Sequence, residues 1–169
     1  MKAIRIISVL LILIMICCPL VACEEDDGSD IDVPERDFYE VTVSFQIKDQ
    51  SGRTVVEALN YKYKGHAEPT MLNVVEAYLS VVQNWVCKID KTNTLTQVGG
   101  MKADKKNGEY WGFVTNIDED KDGNLFLKES PAINLSLDQI NKNLSDGKMS
   151  ETKVIDGAEF TLILCGAGE

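Results

Sequence analysis

Between Glu40 and Lys48 apolar and polar residues alternate, with Val41, Val43, Phe45 and Ile47 on one face and Thr42, Ser44, Gln46 and Lys48 on the other. A period of two predicts a strand with one buried side. The turn residues Asp49-Gln50-Ser51-Gly52 follow, and Thr54 to Tyr63 reads as the returning strand of a hairpin, ended by Gly65 and Pro69. From Thr70, a good helix N-cap, the period changes. Leu72, Val75, Leu79 and Val82 recur at helical spacing with Met71 and Tyr78 beside them, which predicts one amphipathic helix lying on a sheet. Trp85 to Ile89 and Leu95 to Val98 read as short strands around the polar turn Asp90-Lys91-Thr92-Asn93, and Tyr110 to Ile117 as another. Ser136 and Gln139 have capping-box spacing, so a short helix is expected from about Leu137 to Leu144. Asp156-Gly157 is a turn before a last apolar strand, Phe160 to Leu164. This order predicts an α+β fold: a mixed sheet with one main helix packed on it and a short second helix.

Ahead of this pattern stands a different one. Lys2 and Arg5 precede an apolar run from Ile6 to Ile16, which leads to Leu20-Val21-Ala22-Cys23. A basic start, a short apolar core and small residues before a cleavage point describe a secretory signal rather than a membrane span. The tetrapeptide resembles the lipobox of bacterial lipoproteins, whose cysteine is acylated and becomes the new N-terminus. Residues 1–22 are therefore expected to be a lipoprotein signal peptide, and Cys23 the lipidated residue that tethers the protein to a membrane.

Composition then separates linker from domain. The chain of 169 residues carries a net charge of −10, yet nine acids fall between Glu24 and Glu40 against the single base Arg36. Residues 23–38 are expected to form an acidic, self-repelling linker. Residues 39–169 form the domain. An acidic cluster directly after the lipid cysteine resembles the surface-export signal of Bacteroidetes lipoproteins, which points to the outer-membrane surface; a periplasm-facing anchor is the alternative. No basic stripe is present, which argues against nucleic acid as a partner.

Cysteine use follows from the same reading. Cys17 and Cys18 leave with the leader and Cys23 carries lipid, which leaves Cys87 and Cys165. In an oxidising compartment this pair either forms a disulfide, worth about 2–4 kcal/mol, or remains as two separate buried thiols.

The residues offer little catalytic chemistry. His66 is the only histidine, so neither a His-based zinc site nor a Ser-His or Cys-His pair with a spare base can be assembled. No glycine-rich phosphate loop occurs. The domain is expected to be non-enzymatic, with no catalytic cofactor. His66 itself sits in a loop, as a bystander or as a metal ligand. The segment Asp118 to Glu129 satisfies the calcium-loop pattern D-x-[DN]-x-[DN]-G-x5-E, with Asp118, Asp120, Asp122, Asn124 and Glu129 as candidate calcium ligands and Gly123 at the sharp turn. The competing reading is an acidic Asp-Gly turn between strands. In Tyr110-Trp111-Gly112-Phe113, strand geometry puts Trp111 and Phe113 on one face, and Gly112 leaves room for a ligand or another backbone.

Leu95-Thr96-Gln97-Val98-Gly99-Gly100-Met101-Lys102, then Glu109-Tyr110-Trp111, then Asp156 to Leu164 resemble the C-terminal β-domain of transcobalamin and intrinsic factor. The helix from Met71 to Val82 matches that family's helix, so the resemblance spans most of Val41 to Cys165. It implies a β-grasp-like domain that covers one face of cobalamin, without the helical-barrel domain that grips the other face in the vertebrate carriers. Carried over by motif, the ligand-binding residues would be Thr96, Val98, Gly99, Tyr110 and Trp111. The resemblance implies a surface-anchored module that captures cobalamin or a related corrinoid and passes it to an outer-membrane transporter. The alternative, carried by the calcium pattern, is a calcium-stabilised cell-surface interaction or adhesion module.

Overall fold

The structure, a computed structural model, describes residues 38–145 and 148–166. The expected signal peptide, Cys23 and the acidic linker up to residue 37 lie outside the described residues.

Strand β1 (Tyr39–Lys48) turns at Asp49 into β2 (Thr54–Gly65), giving the expected antiparallel hairpin. The Asp49 carboxylate accepts from the Ser51 and Arg53 backbone N–H groups at 3.0 and 3.1 Å, which fixes the turn. Helix α1 (Met71–Val82) starts at Thr70, whose hydroxyl accepts from the Asn73 N–H at 3.2 Å. The short strands β3 (Cys87–Ile89), β4 (Leu95–Val98) and β5 (Met101–Lys102) form a small antiparallel sheet of their own. Next come β6 (Tyr110–Thr115), the hairpin β7 (Ile117–Glu119) and β8 (Leu125–Leu127), α2 (Leu137–Asn143) and β9 (Ala158–Cys165). Both capping-box bonds of α2 form, between Ser136 and Gln139.

The main sheet has the order β2-β1-β9-β6. The outer pairs are antiparallel, while β1 and β9 run parallel at the centre. This is a β-grasp-like mixed sheet in an α+β fold. The last strand is central because it is apolar on both faces: Phe160 to Leu164 are all buried. Phe160 lies opposite Phe45 in register, with their rings stacked at 5.2 Å.

Two details depart from the sequence pattern. Val82 was expected on the buried stripe of α1 but is 55 % exposed; Met71, Leu72, Val74, Val75 and Leu79 make the contact. The helix stops at Val82, and the Gln83 and Trp85 N–H groups both donate to the Leu79 carbonyl as the chain turns away. Secondly, the polar face of β1 is not wholly exposed. A second small core of Ala132, Leu135 and Ile140 packs on Val114 and Ile163. Nearby, Gln46 is buried, donating to Glu57 at 2.6 Å and to Asn134 Oδ1 at 2.8 Å and accepting from the Asn134 N–H at 3.0 Å. Its amide is satisfied, so its burial carries no orphan penalty.

Candidate functional site

The residues implied by the family resemblance divide between surface and core. Thr96, on β4, is half-buried, and its hydroxyl donates to the Lys88 carbonyl at 3.0 Å. The oxygen lone pairs remain available as acceptors. Val98 is wholly buried. Gly99 has φ +54°, and a Cβ there would lie 2.5 Å from two atoms of the Trp85 ring. The glycine thus makes room for an indole of this chain, not for a ligand. Tyr110 is 45 % exposed. Its phenol is pushed up by burial and then by the neighbouring Cys165.

Trp111 departs from the ligand-binding role that the resemblance implies. It is only 7 % exposed and belongs to the main core with Phe113 and Val98. Among the described residues its indole N–H meets no acceptor. The space over Gly112 is filled as well, since a Cβ there would lie 2.8 Å from Leu144 Cδ1. Trp111 and Gly112 therefore serve packing, the commonest fate of an aromatic residue on a strand.

Beside Thr96 lies an open hollow of about 610 Å³, lined by Asp90, Thr96, Lys102, Asp104, Lys105 and Lys106 among others. Its carboxylates are committed to local structure. Asp90 accepts from the Thr92 hydroxyl at 2.6 Å and from the Thr92 and Thr94 N–H groups at 2.8 and 3.1 Å, and it pairs with Lys105. The Lys105 ammonium first, and the Thr92 hydroxyl next, hold its carboxyl well below the usual carboxylate range. Asp104 accepts from the Lys106 N–H and the Asn107 side-chain amide, both at 3.0 Å. Lys102 and Lys106 make no ion pair among the described residues. The hollow presents ammonium groups and a hydroxyl acceptor. The Glu109 carboxylate accepts from the Asp104 N–H at 2.8 Å, tying this wall to the chain just before Tyr110.

The calcium pattern folds as a hairpin turn. Asp120 Oδ1 accepts from the Asp122 and Asn124 N–H groups, each at 2.9 Å, and Gly123 takes φ +85°. Asp118 pairs with Lys128 at 3.2 Å and accepts from the Glu119 N–H at 3.0 Å. Pairing of Asp118 with Phe126 carries Glu129 beyond the end of β8, so it does not return to close a coordination shell. Asp118, Asp120, Asp122, Asn124 and Glu129 do not fit a calcium loop in this arrangement. Among the described residues no three His, Cys, Asp or Glu side chains are placed to hold a metal ion. His66 stands edge-on to Phe38 at 5.5 Å.

The disulfide alternative is also corrected: Cys87 and Cys165 are both free thiols. The cysteines belong to different sheets, Cys87 to the small one and Cys165 to the main one.

Sequence reasoning missed Trp85, which is half-buried and packs on Gly99. The signal was present. A hairpin around Asp90 to Asn93 that pairs Cys87 with Val98 brings Trp85-Val86 opposite Gly99-Gly100.

These features belong to an α+β fold built on a β-grasp-like mixed sheet. No family model matches the chain, and no curated protein matches it. Among solved structures it is similar to a crystal structure described as that of a "putative metal binding protein" from Ruminococcus gnavus. The two share 12 % identity at a TM-score of 0.41, over 76 % of this chain and 100 % of the other.

Proposed function

We propose that the protein is a membrane-tethered, non-enzymatic binding module that takes cobalamin or a related corrinoid at the hollow beside Thr96. The tether is the acylated Cys23, the linker displays the domain at the outer-membrane surface, and the captured ligand passes to an outer-membrane transporter. The observation that supports the ligand reading is that Thr96 lines an open hollow of about 610 Å³. That volume falls within the range of about 300–1,000 Å³ typical of small-molecule sites. A whole corrin exceeds it, so the ligand would enter by an edge. The chemistry suits such an edge. The Thr96 oxygen accepts from a ligand amide, and Lys102 and Lys106 donate to amide carbonyls or to the phosphate of the nucleotide tail. Trp111 stays in the core behind this surface and has no direct role in binding.

The test is retention of colour. The full chain in neutral detergent, mixed with cyanocobalamin, should carry pink absorbance through a desalting column. Lys102→Glu should weaken retention about tenfold, the worth of one charge-assisted contact. Thr96→Arg, which fills the hollow, should abolish it. Elution of all colour in the small-molecule volume with the protein in excess would end the corrinoid reading.

A further inference from the structure

A second hollow, of about 540 Å³, lies between α1 and the segment entering β3, and shares no residue with the first. On α1, Asn73, Glu76, Ala77 and Ser80 follow helical spacing and line one wall. Trp85 and Cys87 line the other. The Trp85 position is fixed twice: its backbone N–H donates to the Leu79 carbonyl at 3.1 Å, and its ring packs on Gly99. Being half-buried, the indole still contributes to the hollow.

Glu76 is the unusual member. It is half-buried, yet makes no ion pair among the described residues. Burial alone raises its carboxyl above the ordinary range. Lys64, which also lines the hollow, is committed to Glu40 at 2.9 Å. The Cys87 thiol is pushed up to about 12, by burial first and Glu76 second, so it stays neutral and adds no competing charge. What remains is one carboxylate lacking a counter-cation beside an aromatic ring, with Val86, 59 % exposed, at the margin. A hydrated calcium or magnesium ion needs several oxygen ligands. An organic cation needs only charge neutralisation and an aromatic or apolar surface.

The geometry points to a binding site for a small organic ammonium ion in the hollow between α1 and Trp85, with Glu76 neutralising the charge and the indole covering the alkyl part. Binding is read by tryptophan fluorescence of the full chain carrying Trp111→Phe, so that Trp85 is the sole reporter. Benzylammonium should change the emission saturably, while sodium chloride of equal ionic strength and neutral benzyl alcohol should not. Glu76→Gln should weaken the response at least tenfold. Ser80→Lys, which sets a tethered ammonium one turn from Glu76 on an exposed position, should abolish it with the melting temperature unchanged. A linear, unsaturated response, an equal response to benzyl alcohol, or undiminished binding by a folded Ser80→Lys protein would each overturn the site.

Discussion

The two tryptophans exchange the roles that their neighbours in sequence suggest. Trp111 sits in the aromatic motif but is core, whereas Trp85, expected to open a strand that begins only at Cys87, lines a hollow. The reason is local. Trp111 faces inward with Phe113, while Trp85 precedes β3 and is held over Gly99 at the edge of the small sheet. A buried N–H without an acceptor costs about 1–3 kcal/mol, and Trp111 carries one. Trp111→Phe removes that donor together with some packing area, so the two effects should nearly cancel, within about 1 kcal/mol. Trp111→Ala should lose about 3–5 kcal/mol, as for any large core residue emptied of its side chain. Urea melts of the two variants check this. Equal, large losses would show that the indole N–H has a partner after all, and equal, negligible losses that the residue is not core.

Secondary elements were the most legible level, because periodicity and capping are local. The β1–β2 turn, the Thr70 cap, the Ser136 box and the strand at Leu95 form where the pattern puts them, while the strand from Tyr110 ends at Thr115 and Ile117 opens β7 instead. What the calcium pattern lacked was register. The residues Asp118 to Glu129 match a spacing, but whether they wrap an ion or pair across a hairpin depends on Ile117 and Leu127 facing each other, which spacing does not encode. Acidic residues at this and other turns carry a different prediction. Hydrogen bonds and ion pairs hold the carboxyls of Asp49, Asp90, Asp118 and Asp120 below the ordinary value of 3.8, led by Ser51 at Asp49, by Lys105 at Asp90, and by the Glu119 and Asn124 N–H groups at Asp118 and Asp120. A depressed folded-state value means stability that is present above the unfolded value and lost as pH falls through the folded one. Glu76 works in the opposite sense, since its raised value makes folding easier once it is protonated. Among these carboxyls Asp90 is shifted furthest, and it sets the sign. The melting temperature should be flat near neutrality and fall from about pH 5 downward. Asp90→Asn should flatten that fall, and an unchanged slope in the variant would show that the contacts of Asp90 with Lys105 and Thr92 are not what acid breaks.

At the scale of the whole molecule, the decisive event is the pairing of the first strand with the last. Alternation along β1 and the apolar run in β9 tell which faces are buried, but not that the two strands lie side by side and parallel. That choice comes from tertiary packing, in which a strand apolar on both sides must take a central place. It also decides the fate of the cysteines. Placing β9 between β1 and β6 assigns Cys165 to the main sheet, opposite Tyr110, while β3 carries Cys87 into the small sheet. A bridge would have closed a loop of about 78 residues and added up to about 4 kcal/mol. The stacked Phe45 and Phe160, together with the core around them, must hold the ends of the fold together instead. Two measurements follow from this arrangement. Reductant should leave the melting temperature of the domain unchanged. An alkylating reagent at mildly alkaline pH should react slowly with Cys87 in the folded protein, because burial keeps its thiol protonated with a pKa of about 12, and rapidly after unfolding in urea. Mass spectrometry of the peptides containing Cys87 and Cys165 should then find each carrying one adduct without prior reduction. A cross-linked peptide pair, or a fall in melting temperature with reductant, would mean that the two sheets are joined covalently and that strand packing alone does not close the fold.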